Sequence, residues 1–156
     1  MKYLLYNTIQ NCKKKLIKNY VEIIQILQLL YRMDSNEKLC FVFPGQGSQK
    51  VGMGKSLYDN HKVAREVFDE IDDSLDFFLS KIIFNGPLEI LTETENTQPA
   101  LMAVSIAICR IIEHESGKKL HQLIDAVCGH SLGEYTALCS VNSLSLLDTT
   151  KLLKTR

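Results

Sequence analysis

The five residues Gly129-His130-Ser131-Leu132-Gly133 constrain this chain more than any other stretch of it. They match G-x-S-x-G, and their surroundings suit it. The apolar run Leu123 to Cys128 reads as a strand immediately before, and a helical pattern through Tyr135, Ala137 and Leu138 follows. A strand that turns sharply into a helix leaves no room for side chains on either flank of the turn. Glycine at 129 and at 133 removes them and exposes the Ser131 hydroxyl at the end of the sheet. Ser131 also opens the helix, so the N–H of Leu132 lacks an intrahelical acceptor and can donate to an oxyanion. Read without that context, the same pattern is also what an ordinary Gly- and Ser-containing turn would show.

A second strand fits the same plan. Leu39-Cys40-Phe41-Val42-Phe43 is apolar on both faces, which predicts a buried strand ending at Pro44. The loop Pro44-Gly45-Gln46-Gly47-Ser48-Gln49 follows it. A loop in that position can bring a second backbone N–H to an oxyanion hole, and Gln46 is the residue chosen for it. Composition alone reads the same segment as a plain connection.

Between the strands the pattern is helical. One helix is expected from Ser56 or His61 through Ile71, and a short one from Leu75 to Phe84, ended by Asn85-Gly86-Pro87. Thr97-Gln98-Pro99-Ala100 reads as a helix start, with Thr97 as cap and Pro99 in the first turn. Leu101 to Ile112 is nearly all apolar, so that helix is expected to be buried on most sides. Gly117 should end it, and a last helix should begin near Ser145. Strands alternating with helices predict an α/β fold with a parallel sheet. With only two clear strands, that sheet looks unfinished.

At 156 residues the chain allows one domain. The formal net charge of zero hides a split. Residues 1–32 carry six Lys or Arg against one acid; residues 33–156 carry twelve basic and seventeen acidic residues. The larger, acidic part has no basic stripe, which argues against nucleic-acid binding. Residues 1–32 read as a basic helical extension. Its longest uncharged stretch, Ile23 to Tyr31, is too short to span a bilayer, and contact with a membrane surface is a weaker expectation than none. Met33-Asp34-Ser35-Asn36-Glu37-Lys38 resembles an ordinary N-terminus ahead of the first strand, so Met33 is the expected natural first residue. The five cysteines are odd in number and form no C-x-x-C, which predicts no disulfide framework and no metal site. A reducing, cytoplasmic setting fits them.

Three stretches carry identity beyond composition: Phe43-Pro44-Gly45-Gln46-Gly47-Ser48-Gln49, Thr97-Gln98-Pro99-Ala100-Leu101, and Gly129-His130-Ser131-Leu132-Gly133-Glu134-Tyr135. In that order and spacing, with Asn85-Gly86-Pro87 and Thr92 also in place, residues 39–156 resemble the malonyl-CoA:acyl carrier protein transacylase family and the acyltransferase domains of polyketide synthases. Leu132 is what malonyl-selective members carry, where methylmalonyl-selective ones often have Gln. The resemblance implies an α/β-hydrolase-like core, of which residues 33–156 are the N-terminal part. It also implies that the family's inserted ferredoxin-like subdomain is missing here. It implies a malonyl-Ser131 intermediate, fed by malonyl-CoA and emptied onto the phosphopantetheine thiol of acyl carrier protein, with no further cofactor. Gln46 and Leu132 would hold the oxyanion, and Arg156 would pair with the malonyl carboxylate. The family's catalytic histidine falls beyond residue 156. His130 adjoins Ser131 on a tight turn, where it is expected to support the elbow rather than act as base. Two alternatives stand beside this reading: an inactive truncated form of the enzyme, and a serine hydrolase or thioesterase on the same elbow.

Overall fold

The computed structural model describes residues 38–156, so the basic extension and the Met33 start lie outside the described residues. The elements run β1 (Cys40–Phe43), α1 (Lys55–Asn60), α2 (Lys62–Leu75), α3 (Leu79–Asn85), α4 (Leu88–Thr92), α5 (Thr94–Ser116), a 3-10 turn (Leu120–Gln122), β2 (Ala126–Gly129), α6 (Leu132–Ser140) and α7 (Leu146–Thr155). The fold is mixed α/β, and β1 and β2 pair in parallel with Cys40 opposite Ala126 and Phe43 opposite Gly129. Leu39 N–H donates to the Asp125 carboxylate at 2.8 Å, which fixes that register at the strand entrance.

α5 is the axis of the molecule. Its apolar run buries Ala100, Leu101, Met102, Ala103, Ile106, Ala107, Ile111 and Ile112, and α2, α3, α4, α6 and α7 all pack on it. A helix apolar on most sides is stable only when surrounded in this way. α2 contributes a narrower stripe, Ala64, Val67, Phe68 and Ile71, at the i, i+3, i+4, i+7 spacing of one helix face. Phe68 meets Tyr58 and Phe84 with ring centroids 5.8 and 5.1 Å apart, in tilted and edge geometries that suit aromatic quadrupoles.

Three expectations are corrected. α5 starts at Thr94, so Pro99 lies inside the helix and Thr97 is not its cap. Thr97 is fully buried, and its hydroxyl donates to the Leu91 carbonyl, tying α5 to α4, a helix the sequence pattern did not reveal. The helix through Ile71 begins at Lys62 with His61 as its cap, one of the two starts expected, whereas the short helix expected from Leu75 begins only at Leu79 because α2 runs on to Leu75. Finally, β1 is not buried on both faces. Phe41, Phe43 and Val127 face the helices, whereas Val42 on the opposite face is 61% exposed.

The last turn of α5 is joined to the approach of β2 by one carboxylate. Glu113 accepts from Leu120 N–H at 2.8 Å and from Arg110 Nη1 at 2.9 Å, with Lys119 Nζ at 3.6 Å. Burial pushes this carboxyl up, but the Leu120 N–H and the two cations outweigh it, so Glu113 titrates below its ordinary value. Its contribution to stability is therefore complete above the ordinary carboxylate range and is lost as pH falls through the folded-state value. Glu113→Gln is expected to cost about 1–2 kcal/mol at neutral pH. Urea unfolding at neutral and acid pH checks this, since the gap between variant and parent should close in acid.

Candidate functional site

The elbow forms because two glycines let three backbones meet. A Cβ on Gly129 would overlap the carbonyl carbon and oxygen of Gly133 and stand 2.7 Å from Glu134 N. A Cβ on Gly133 would stand 2.5 Å from the Phe43 carbonyl oxygen and 3.0 Å from that of Pro44. β2, α6 and the end of β1 are thus in backbone contact around Ser131. Only glycine permits approaches of this kind.

Ser131 has φ 58° and ψ −114°, left-handed for a residue with a side chain. Such a conformation costs about 1–3 kcal/mol and persists only where the surroundings enforce it. Here the Gly133 N–H to His130 carbonyl bond (3.0 Å) and the Glu134 N–H to Ser131 carbonyl bond (3.1 Å) close the turn. The side chain is left half-buried at the mouth of the elbow.

The end of α7 meets it there. Arg156 Nη2 donates to Ser131 Oγ at 3.1 Å across a sequence separation of 25 residues. The Arg156 guanidinium also lies 5.4 Å from the centre of the Tyr135 ring, a cation–π distance. Tyr135, in the first turn of α6 and four residues after Ser131, supplies the ring that steadies the cation. α7 itself is held by its cap: Ser145 Oγ accepts from Asp148 N–H at 3.0 Å. A guanidinium donates only and remains charged, so beside Ser131 it favours an alkoxide without taking its proton.

Of the residues singled out in the sequence, Ser131 and Arg156 are brought into contact. Leu132 is buried as the first residue of α6, where its N–H has no intrahelical acceptor. His130 is exposed, and its Nδ1 and carbonyl oxygen lie 3.4 and 3.3 Å from where a Gly45 Cβ would be. The loop after β1 therefore rests on the elbow. Gln46, exposed in that loop, sends its side chain to Thr94 Oγ1 at 3.4 Å. Tyr135 and Thr94 received no role from the sequence, although Tyr135 lies in the first turn of the helix that follows Ser131. Among the described residues no group of three or more His, Cys, Asp or Glu is arranged to hold a metal ion. No helix among them is long and apolar enough to cross a membrane.

The family model for the acyl transferase domain matches residues 40–156. The malonyl CoA-acyl carrier protein transacylase of Bacillus subtilis (strain 168) is 48% identical over 111 residues, covering 71% of this chain and 33% of that protein. Its counterpart in Salmonella typhimurium is 38% identical over 119 residues, covering 76% and 37%. Among solved structures, the acyl-carrier-protein-S-malonyltransferase from Bartonella henselae is 51% identical with a TM-score of 0.73, covering 76% of this chain and 37% of that one. A malonyl-transacylase in complex with a type II PKS acyl-carrier protein is 38% identical with a TM-score of 0.69, over the same shares. The chain spans about a third of the length of the curated relatives it matches.

Proposed function

This chain belongs to the acyl transferase domain family, and on that premise we propose that its elbow accepts a malonyl group from malonyl-CoA for delivery to acyl carrier protein, as in fatty acid biosynthesis. The observation that carries the reading is the Arg156 guanidinium 3.1 Å from Ser131 Oγ. A nucleophile with a cation at its side suits an acyl donor that bears its own carboxylate. A simple ester hydrolase has no use for that cation.

In the proposed reaction Ser131 Oγ attacks the thioester carbon. The developing oxyanion is held by the N–H groups of Leu132 and Gln46, the carbon–sulfur bond breaks, and the Ser131 proton ends on the departing CoA sulfur, which leaves as its thiol. Arg156 turns to the malonyl carboxylate and grips it with paired hydrogen bonds. The phosphopantetheine thiol of the carrier protein then attacks the malonyl ester and frees the Ser131 hydroxyl. Thioester and thiol are the only reagents in the exchange, so no further cofactor is invoked. His130 holds the turn rather than the proton. Residues 33–156 are the N-terminal part of an α/β-hydrolase-like core on this reading, with no ferredoxin-like subdomain among them. The setting inferred from cysteine usage is the cytoplasm.

Malonyl-CoA added to the purified chain is expected to give one malonyl ester by intact mass. Ser131→Ala should abolish it, and carrier protein should remove it by transfer. A folded, soluble sample that stays unmodified overturns the reading. Release of free malonate with none on the carrier protein would instead mark a thioesterase.

A further inference from the structure

The turn of α7 that delivers Arg156 is held in place by a second cation, which the acyl chemistry does not use. α7 buries Leu146, Thr149, Thr150 and Leu153 as one stripe. At about 100° per residue, Lys154 falls on one flank of Leu153 and Arg156 on the other. Lys154 turns toward the start of α5. Its Nζ donates to Asn96 Oδ1 at 3.3 Å, pairs with Glu95 Oε1 at 3.4 Å and lies 4.8 Å from the centre of the Phe77 ring. For a charged side chain it is well covered, at 26% exposure.

Asn96 makes this contact specific. It is buried, and its Nδ2 donates to the Ile90 carbonyl at 3.0 Å and to Glu93 Oε2 at 3.1 Å. Both amide protons are therefore taken, and Oδ1 is left as an acceptor facing Lys154. An ammonium brings donors only, so it suits that oxygen, the Glu95 carboxylate and the face of a ring together. The same first turn of α5 receives the Gln46 side chain through Thr94 Oγ1 at 3.4 Å. The loop after β1 and the helix that carries Arg156 are thus moored to three consecutive residues, Thr94 to Asn96. Arg156 itself is exposed and held only by Ser131 Oγ and the Tyr135 ring. Where its long side chain can reach depends on where the last turn of α7 lies.

We propose that Lys154 is a positioning residue: its hold on Asn96, Glu95 and Phe77 fixes the last turn of α7 and keeps the Arg156 guanidinium beside Ser131, ready for the carboxylate of the acyl donor. The inference rests on the acyl-transfer reading given above. No bond is made or broken at Lys154. An ion pair that water still reaches adds little to overall stability, so losing it should alter the choice of acyl group more than the folding.

The test compares the full-length chain with Lys154→Met, which keeps the stem and removes the charge, and with Lys154→Arg. Loading of Ser131 from malonyl-CoA, followed by intact mass, is expected to slow about three- to tenfold in Lys154→Met, the scale of a partly exposed cation's contacts. Loading from acetyl-CoA should not change. Lys154→Arg, which keeps a donor and a cation over Phe77, should restore the parent's malonyl rate. In an Arg156→Ala background Lys154→Met should add nothing. Equal slowing with both thioesters, or a loss that persists in that background, overturns the proposal. A second measurement needs no activity: the NMR shifts of the Arg156 side-chain CH2 protons, assigned by their loss in Arg156→Ala. The Tyr135 ring should displace them from free-arginine positions in the parent, and Lys154→Met should return them. Displacements absent from the parent, or unchanged in folded Lys154→Met, overturn the proposal. A parent that takes no malonyl group while these shifts respond as expected overturns the acyl-transfer reading and leaves the positioning by Lys154 standing.

Discussion

Gly129→Ala is expected to destabilise the domain by about 4 kcal/mol or more, which few single methyl groups can do. The backbone dihedral is not the cause, because Gly129 does not have a positive φ. The cause is steric. The new Cβ would overlap the Gly133 carbonyl and crowd Glu134 N, and all of these are backbone atoms that no side-chain rotation can move aside. Relief requires α6 to pull away from β2, which opens the turn that holds Ser131. Gly117→Ala is the natural contrast. Gly117 has φ 66° at the end of α5 with nothing within 4 Å of its missing Cβ, so alanine there meets only left-handed strain of about 1 kcal/mol. Urea unfolding of both variants separates the two mechanisms. Equal losses would mean that the close approach at the elbow is not a constraint.

The second large effect concerns choice of substrate. Arg156→Ala is expected to slow malonyl loading of Ser131 by about ten- to a hundredfold, the equivalent of losing hydrogen bonds to a charged group worth about 1.5–3 kcal/mol. The range is held at that level because Arg156 is exposed and water screens its charge. Acetyl-CoA, which lacks the carboxylate, should load no more slowly than before. Arg156→Lys should not restore malonyl loading fully, since an ammonium cannot offer two parallel N–H bonds or lie flat against Tyr135. Intact-mass time courses with the two thioesters measure this. Equal slowing of both would assign Arg156 to holding the elbow rather than gripping the substrate.

The elbow was legible because its chemistry leaves few alternatives. Two glycines, a serine, an apolar run before and a helical pattern after can satisfy the sterics of a strand-to-helix turn in essentially one way. Arg156 was reachable through the family resemblance, not through local pattern, because a contact spanning 25 residues leaves no periodic trace. The start of α5 was misjudged because proline ordinarily marks a first turn. Here tertiary burial overrides that habit, and Thr97 spends its hydroxyl on α4 rather than on a cap. α4 itself has five residues, too few for a helical period to show. The exposure of Val42 was invisible for a different reason. An all-apolar strand announces that both faces can be covered, not which face is.

The parallel pairing of β1 with β2 also bears on the order in which the chain becomes organised. Cys40 finds Ala126 only after the 85 intervening residues have been brought together, and closing so long a loop must precede any reward from the strand contact. α5 and the helices beside it depend on shorter separations and can settle first. Leaving a ribosome, the chain presents β1 long before its partner strand exists. The serine, posed by both strands at once, therefore cannot take its geometry until that loop has closed.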